Sequence, residues 1–470
     1  MSQLLTNYYE AASVILFGIG FMNLLLQRNL IKKFIGLNIM DTATYLFLAA
    51  KGYVAGRTAP ILTNGIIDAD YYINPIPAGL VLTGIVVSVS VTAFSLALVL
   101  RLYKHYGSLD MDEILRMKGN NMEHHVNLVH NIPFFSVFFA MFCGIITPLL
   151  KSGRAARHLH GFMVGLVGIL SVVLLANVVK NQEAYTFMMG HFPAPWGNEL
   201  RIGPLEALLA VMVSVVMFLT ITAGSRQIFE EIVPEKQKFY FIMLNATYGA
   251  MLAMTYTNDM FTGYVFIEIL TIASCTLILA RGTKQAIVGT THYLVFGCMG
   301  SGLFLLGVCI LYGITGQLLF PQMKETIAML METGQYHFPL MIVVSLMFMG
   351  LGIKSGLFPF HSALPTAYGS TMTTSNGILS GLVLKAYIIL AIKLVFEVFT
   401  IETLVKLRIA DVLFVLGVLG MIMGSFYAVR ESRLKRMLAY SSVAQIGYIF
   451  MGIGLGSEAG MLAACFHVLA

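Results

Sequence analysis

The chain has 470 residues, of which 58% are hydrophobic and 11% charged, with a formal net charge of +6 and a mean hydropathy of +0.82. So few charges cannot cover the surface of a water-soluble protein of this length. With no basic-aromatic patch outside the apolar runs, nucleic-acid binding is excluded as well, and the basic excess belongs to loops at a membrane surface.

In chain order, apolar runs near the length of a bilayer-spanning helix recur about fourteen times. They fall roughly at 11–27, 31–51, 79–101, 131–150, 161–179, 204–224, 239–256, 260–280, 289–313, 339–357, 374–397, 410–429, 437–456 and from 459 onward. The first lacks the basic start and small-residue cleavage site of a signal peptide and reads as a retained span. The second carries Asn38 and Asp41, three residues apart on one helix face, either a packing pair or a polar site. Loops holding Arg28, Lys32 and Lys33, then Lys151, Arg154 and Arg157, then Arg226, Lys236 and Lys238, then Arg281 and Lys284, then Arg430 to Arg436 face the cytoplasm. The third span breaks this alternation, because it ends in RLYKHYGSLDMDEILRMKGNN and leaves the span at 131–150 basic at both ends. Residues 1–121 and 122–470 therefore read as two ancestral subunits joined in one chain, with Met122 the natural start of the second. The five cysteines sit singly in apolar runs without a CxxC, so they read as small hydrophobes, with no metal, cofactor or redox centre. The sequence stops at AACFHVLA, inside an apolar helix, which predicts that the natural chain continues.

Ionisable side chains in mid-span are costly and usually serve ion pathways. Glu268 lies about eight residues into its span, in MFTGYVFIEILTIASC. Lys354 sits in GIKSGLFPFH, between Gly352 and Gly356 and shortly before Pro359. Lys385 is centred in GILSGLVLKAYIIL, and His361 follows the proline as either a core histidine or a relay. His292, near the start of THYLVFGCMG, fits headgroup contact or a relay equally. Glu268 and Lys354, on nearby spans, can stabilise each other's charge and titrate as a unit. Lys385 then supplies the onward station. The glycines and proline around Lys354 predict a broken helix whose freed carbonyls hold water at membrane depth.

At these residues the sequence resembles the antiporter-like subunits shared by respiratory complex I, membrane-bound hydrogenases and Mrp cation/proton antiporters. NDMFTGYVFIEI, GIKSGLFPFHSALPTAY, the lysine of SGLVLKAY and RLKRMLAYSSVAQIGYI carry the likeness over residues 239–470. MGHFPAPWGNELRIGPLEALLA resembles the D-type Mrp subunit and its hydrogenase relatives. Residues 1–115 resemble the small three-helix C-type subunit through NLIKKFIGLNIM, NPIPAGLVLTGIVVSVSVTAF and GSLDMDE. The resemblance implies an all-α polytopic fold with a three-helix bundle at 1–121, leading helices at 122–238, a first inverted repeat at 239–397 and the start of a second at 398–470. It implies that Glu268, Lys354 and Lys385 form the proton path, with His361 and His467 on it and His292 where relatives often carry a lysine. Ala363 stands where the family has tryptophan, which loosens packing beside the break. Asn38 and Ser88 stand where complex I relatives have membrane glutamates. The implied partners are other subunits of a prokaryotic inner-membrane complex, H⁺, Na⁺ and the lipid bilayer. A redox-driven complex is the alternative setting.

Overall fold

Long apolar helices dominate the computed structural model, which describes residues 8–54, 56–58, 128–189, 199–334 and 336–469, with scattered positions between 73 and 114. The chain divides into two compact units, Met1–His125 and Val126–Ala470. Met122 and the residues around it lie outside the described residues.

In the first unit, α1 (Tyr8–Leu26) and α2 (Leu30–Gly52) pack as a pair. Asn29 caps α2, its side-chain oxygen accepting from the Ile31 and Lys32 amides, as an N-cap does. Gly20 and Gly36 bring the two backbones together; a Cβ on Gly20 would lie 2.6 Å from the Gly36 carbonyl. Of the third expected span, 79–101, only scattered positions are described, Ser88 and Thr92 among them. Ser88 donates to Asp41 Oδ2 at 2.6 Å and Thr92 to Asn38 Oδ1 at 2.7 Å, side-chain bonds of the kind that join helices in a membrane.

The second unit runs α3 (Ile132–Ile146), α4 (Gly153–Asn181), β1 (Tyr185–Met188), β2 (Glu199–Ile202), α5 (Pro204–Glu231), α6 (Pro234–Tyr256), α7 (Met260–Leu279) and α8 (Lys284–Thr315). It continues with α9 (Phe320–Thr333), α10 (His337–Ser355), α11 (Ala363–Ser370), α12 (Thr373–Ile378), α13 (Leu384–Leu394), α14 (Thr400–Lys406), α15 (Ile409–Arg430), α16 (Leu434–Gly454) and α17 (Glu458–Leu469). Among the described residues nine helical segments are long and apolar enough to cross a membrane. Helices α2 and α6, 23 residues each, are long enough but more polar. For α6 the reason is position: its residues from Thr247 to Tyr256 are all buried, so it meets protein instead of lipid and can carry Asn245, Thr247 and Tyr248.

Several short elements, the β1–β2 hairpin and α9 among them, have no counterpart among the expected spans. Strands β1 and β2 pair antiparallel, Tyr185 opposite Ile202, beyond the ends of α4 and α5 away from the basic loops. On the same side, α9 is an amphipathic helix that buries Phe320, Met323 and Ile327, the spacing of one helix face.

The expected break is present. Helix α10 ends at Gly356, whose φ of +80° suits glycine. A cis Phe358–Pro359 bond and a short 3₁₀ turn at Phe360–Ser362 separate it from α11. Gly352 does not take part, contrary to expectation: its carbonyl accepts from the Leu357 amide at 2.8 Å and the Ser355 hydroxyl at 3.0 Å. The loosened backbone begins one residue beyond Ser355. Helix α13 is flanked by π-helical turns at Leu379–Val383 and Val395–Phe399, a departure from α geometry common at functional sites. Helices α8 and α10 cross where Gly300 meets Gly350, a Cβ on Gly350 falling 2.6 Å from the Gly300 carbonyl.

Candidate functional site

Lys354 is buried, at 5% exposure, on the last turn of α10. Its amine donates to Thr271 Oγ1 of α7 at 2.5 Å and lies 5.5 Å from the centre of the Tyr387 ring of α13. Tyr387 Oη and Thr271 Oγ1 are 3.4 Å apart, and Tyr293 of α8 joins the group through Ser274 and Tyr387. Three helices thus converge on the lysine at the point where its own helix stops. A small cavity, of the order of a single water molecule, opens there, lined by Lys354, Thr271, Tyr293, Gly356, Ala363 and Tyr387 among others. Ala363 forms part of this wall.

Glu268 stands one helical turn from Thr271 on α7 and is half-buried. It acts on Lys354 through space, but among the described residues no ion pair within 4.0 Å joins them, and Thr271 takes the direct contact. In this structure the two charges act on each other at a distance, with no direct contact between them. Lys385 is half-buried on α13, two residues before Tyr387. His361 is stacked between Phe358 (5.2 Å) and Tyr427 (5.8 Å) with Tyr440 at 6.2 Å, its Nδ1 buried without a partner. His467 Nε2 lies 2.7 Å from Gln445 Oε1. His292 is exposed on the outside of α8, while its neighbour Tyr293 points inward to the cavity.

Sequence reasoning missed a second buried lysine. Lys393, on the same helix as Lys385, is 1% exposed. Its amine reaches the Thr255 carbonyl at 2.7 Å, the Thr257 carbonyl at 2.8 Å and Glu206 Oε1 at 3.5 Å. Glu206 is the third residue of α5, and its other oxygen accepts from the Gly203 amide at 2.9 Å. The available signal was the GPLE start of α5, a capping-box acid buried by an apolar helix. A buried histidine was missed too: His160 Nδ1 lies 2.6 Å from Asn245 Oδ1, whose amide nitrogen donates to Thr147 at 3.2 Å. Among the described residues no group of His, Cys, Asp and Glu could hold a metal ion.

Residues 257–470, which contain most of this site, match the family profile described as NADH:quinone oxidoreductase/Mrp antiporter, transmembrane. Residues 8–119 match that of NADH-ubiquinone/plastoquinone oxidoreductase chain 4L. The N subunit of the NADH-quinone oxidoreductase of Desulforudis audaxviator is 31% identical over 345 residues, 72% of this chain and 67% of that one. This chain belongs to the antiporter-like membrane-subunit family. Another relative is the D-type subunit of the Na⁺/H⁺ antiporter of Alkalihalophilus pseudofirmus, 29% identical over 68% of this chain and 62% of the relative. The matched region spans about two thirds of the length of these relatives. Among solved structures, a chain of the membrane-bound sulfane sulfur reductase, an archaeal respiratory membrane complex, superposes with TM-score 0.63 at 25% identity, covering 73% of this chain and 67% of that one. A chain of the Mrp complex of a Dietzia species shares the fold, with TM-score 0.64 at 20% identity over 73% and 62% of the two chains. In this antiporter-like protein, then, Lys354 and its cavity lie inside the family region, while Glu206 lies before the matched residues.

Proposed function

We propose that the chain is a proton-translocating membrane subunit of a multisubunit Na⁺/H⁺ antiporter of the Mrp type, seated in the inner membrane of a prokaryotic cell. The observation that carries this reading is the Lys354 amine, buried at a helix break with a single hydrogen-bonding side chain and a cavity beside it. An ammonium has three donors, so an amine with one of them engaged can turn between neighbours. Glu268 serves as the acid on the approach and Lys385 as the next station, with Thr271, Tyr293 and Tyr387 as the hydroxyls between them. His361 and His467 continue the polar line toward α15–α17. The relatives named as D-type subunits of Na⁺/H⁺ antiporters support exchange against Na⁺.

In everted membrane vesicles, Lys354→Ala and Glu268→Ala each abolish proton transport while the complex still assembles. Normal transport in either variant overturns the assignment. The second reading places the same protein in the pump arm of a redox-driven complex, which the 31% identity to an N subunit of NADH-quinone oxidoreductase favours. Purification of the native complex separates the two: iron–sulfur or nickel-bearing partner subunits select the redox arm, and their absence selects the antiporter.

A further inference from the structure

Lys354 and Lys393 are buried to a similar degree but bonded in opposite ways. Lys354 has one hydroxyl, one aromatic face and a small cavity beside it. Lys393 donates to two backbone carbonyls at the end of α6 and forms an ion pair with Glu206. Helix C-terminal carbonyls carry partial negative charge and favour a cation. Each Glu206 oxygen already faces a donor, Gly203 N–H on one side and Lys393 on the other. One turn further out, Arg201 of β2 pairs with Glu397 of the π turn after α13, so the β2–α5 stretch is tied a second time to the end of α13. Lys324 of α9 adds a third tie through the Phe396 carbonyl at 2.9 Å.

Resting on the proton-translocation reading, we propose that the Lys393–Glu206 pair is the proton seal on the side away from the basic loops. It closes the route from the lysine path along α13 to the outer surface. A proton wire needs stations that both accept and donate. An ammonium has no lone pair, and one pinned by two carbonyls and a carboxylate is not free to turn between neighbours, so the chain of transfers stops at Lys393. Removing the charge uncovers two carbonyls and a carboxylate in an apolar setting, which water must then satisfy. The seal would become a wet channel.

The test uses the native complex in everted vesicles with no driving reaction, reading passive collapse of an imposed pH gradient. Lys393→Met should leak at least tenfold faster than the unaltered complex. Lys393→Arg, which keeps the charge and the donors and cannot deprotonate, should remain tight. Lys393→Gln, which donates without charge, should leak. A tight Lys393→Met, or a Lys393→Arg that leaks as fast as Lys393→Met, overturns the proposal. If neither the Met nor the Gln variant accumulates, the pair is a folding element and the proposal falls. Because leak is read without turnover, a failure of Lys354→Ala to stop transport would sink the function and leave this result standing by itself.

Discussion

A buried amine is defined by what its protons meet. At Lys354 that is the Thr271 hydroxyl, which itself donates to the Ile267 carbonyl at 2.7 Å. Thr271→Val keeps the shape and removes the acceptor, leaving a buried donor unmatched at a cost of about 1–3 kcal/mol. The expected result is a lower thermal midpoint and slower proton transport, with Thr271→Ser restoring both; unchanged values would show that the hydroxyl is incidental. Lys354, Glu268 and Lys385 were legible in the sequence because each interrupts a long apolar run, where a charge is conspicuous. Lys393 was not, because four residues separate it from Glu397 and a charge near a span end reads as one that reaches water. Its partner lies 187 positions earlier, on another element, and no local pattern links Lys393 to Glu206. His292 shows the converse, since the histidine draws attention in the sequence while Tyr293 beside it lines the cavity. One helical step of about 100° separates the exposed face from the cavity.

At the scale of elements, helices and their break could be read from apolar length and from Gly356 and Pro359. Strands of four residues and the 14-residue α9 could not, since they are too short to stand out between spans. Gly356 is the residue that makes the break possible. A Cβ there would strike Leu364 of α11 and would have to adopt φ +80°, a left-handed conformation that costs an L-residue about 1–2 kcal/mol. Gly356→Ala therefore lowers the thermal midpoint of the detergent-solubilised complex. Gly302→Ala, with nothing within 4 Å of the new methyl, leaves it unchanged or raises it. Equal midpoints would mean that the break tolerates an ordinary helix end. The Gly300–Gly350 crossing is stricter, because the close atoms there are backbone and cannot swing aside.

Across the whole second unit, most of the basic residues gather on the side of Arg157, Lys236 and Lys284, and the hairpin and α9 lie on the other. That asymmetry fixes a topology that labelling can read. In a cysteine-free background, Glu325→Cys on the exposed face of α9 reacts with a membrane-impermeant maleimide in whole cells. Lys284→Cys, exposed at the start of α8, reacts only after the vesicles are turned inside out. The reverse pattern would invert the protein and move the Lys393 seal to the cytoplasmic face.

The polar, deeply enclosed character of α6 also bears on how the protein is made. A helix carrying Gln237, Asn245, Thr247 and Tyr248 with so few lipid-facing side chains is a poor passenger for one-by-one release from the insertion machinery into lipid. It emerges from the ribosome after α3, α4 and α5, and it packs against all three. Those earlier helices supply the surface that a bilayer cannot, so biogenesis of this unit is ordered: α6 enters the membrane as the fourth member of a group and not alone.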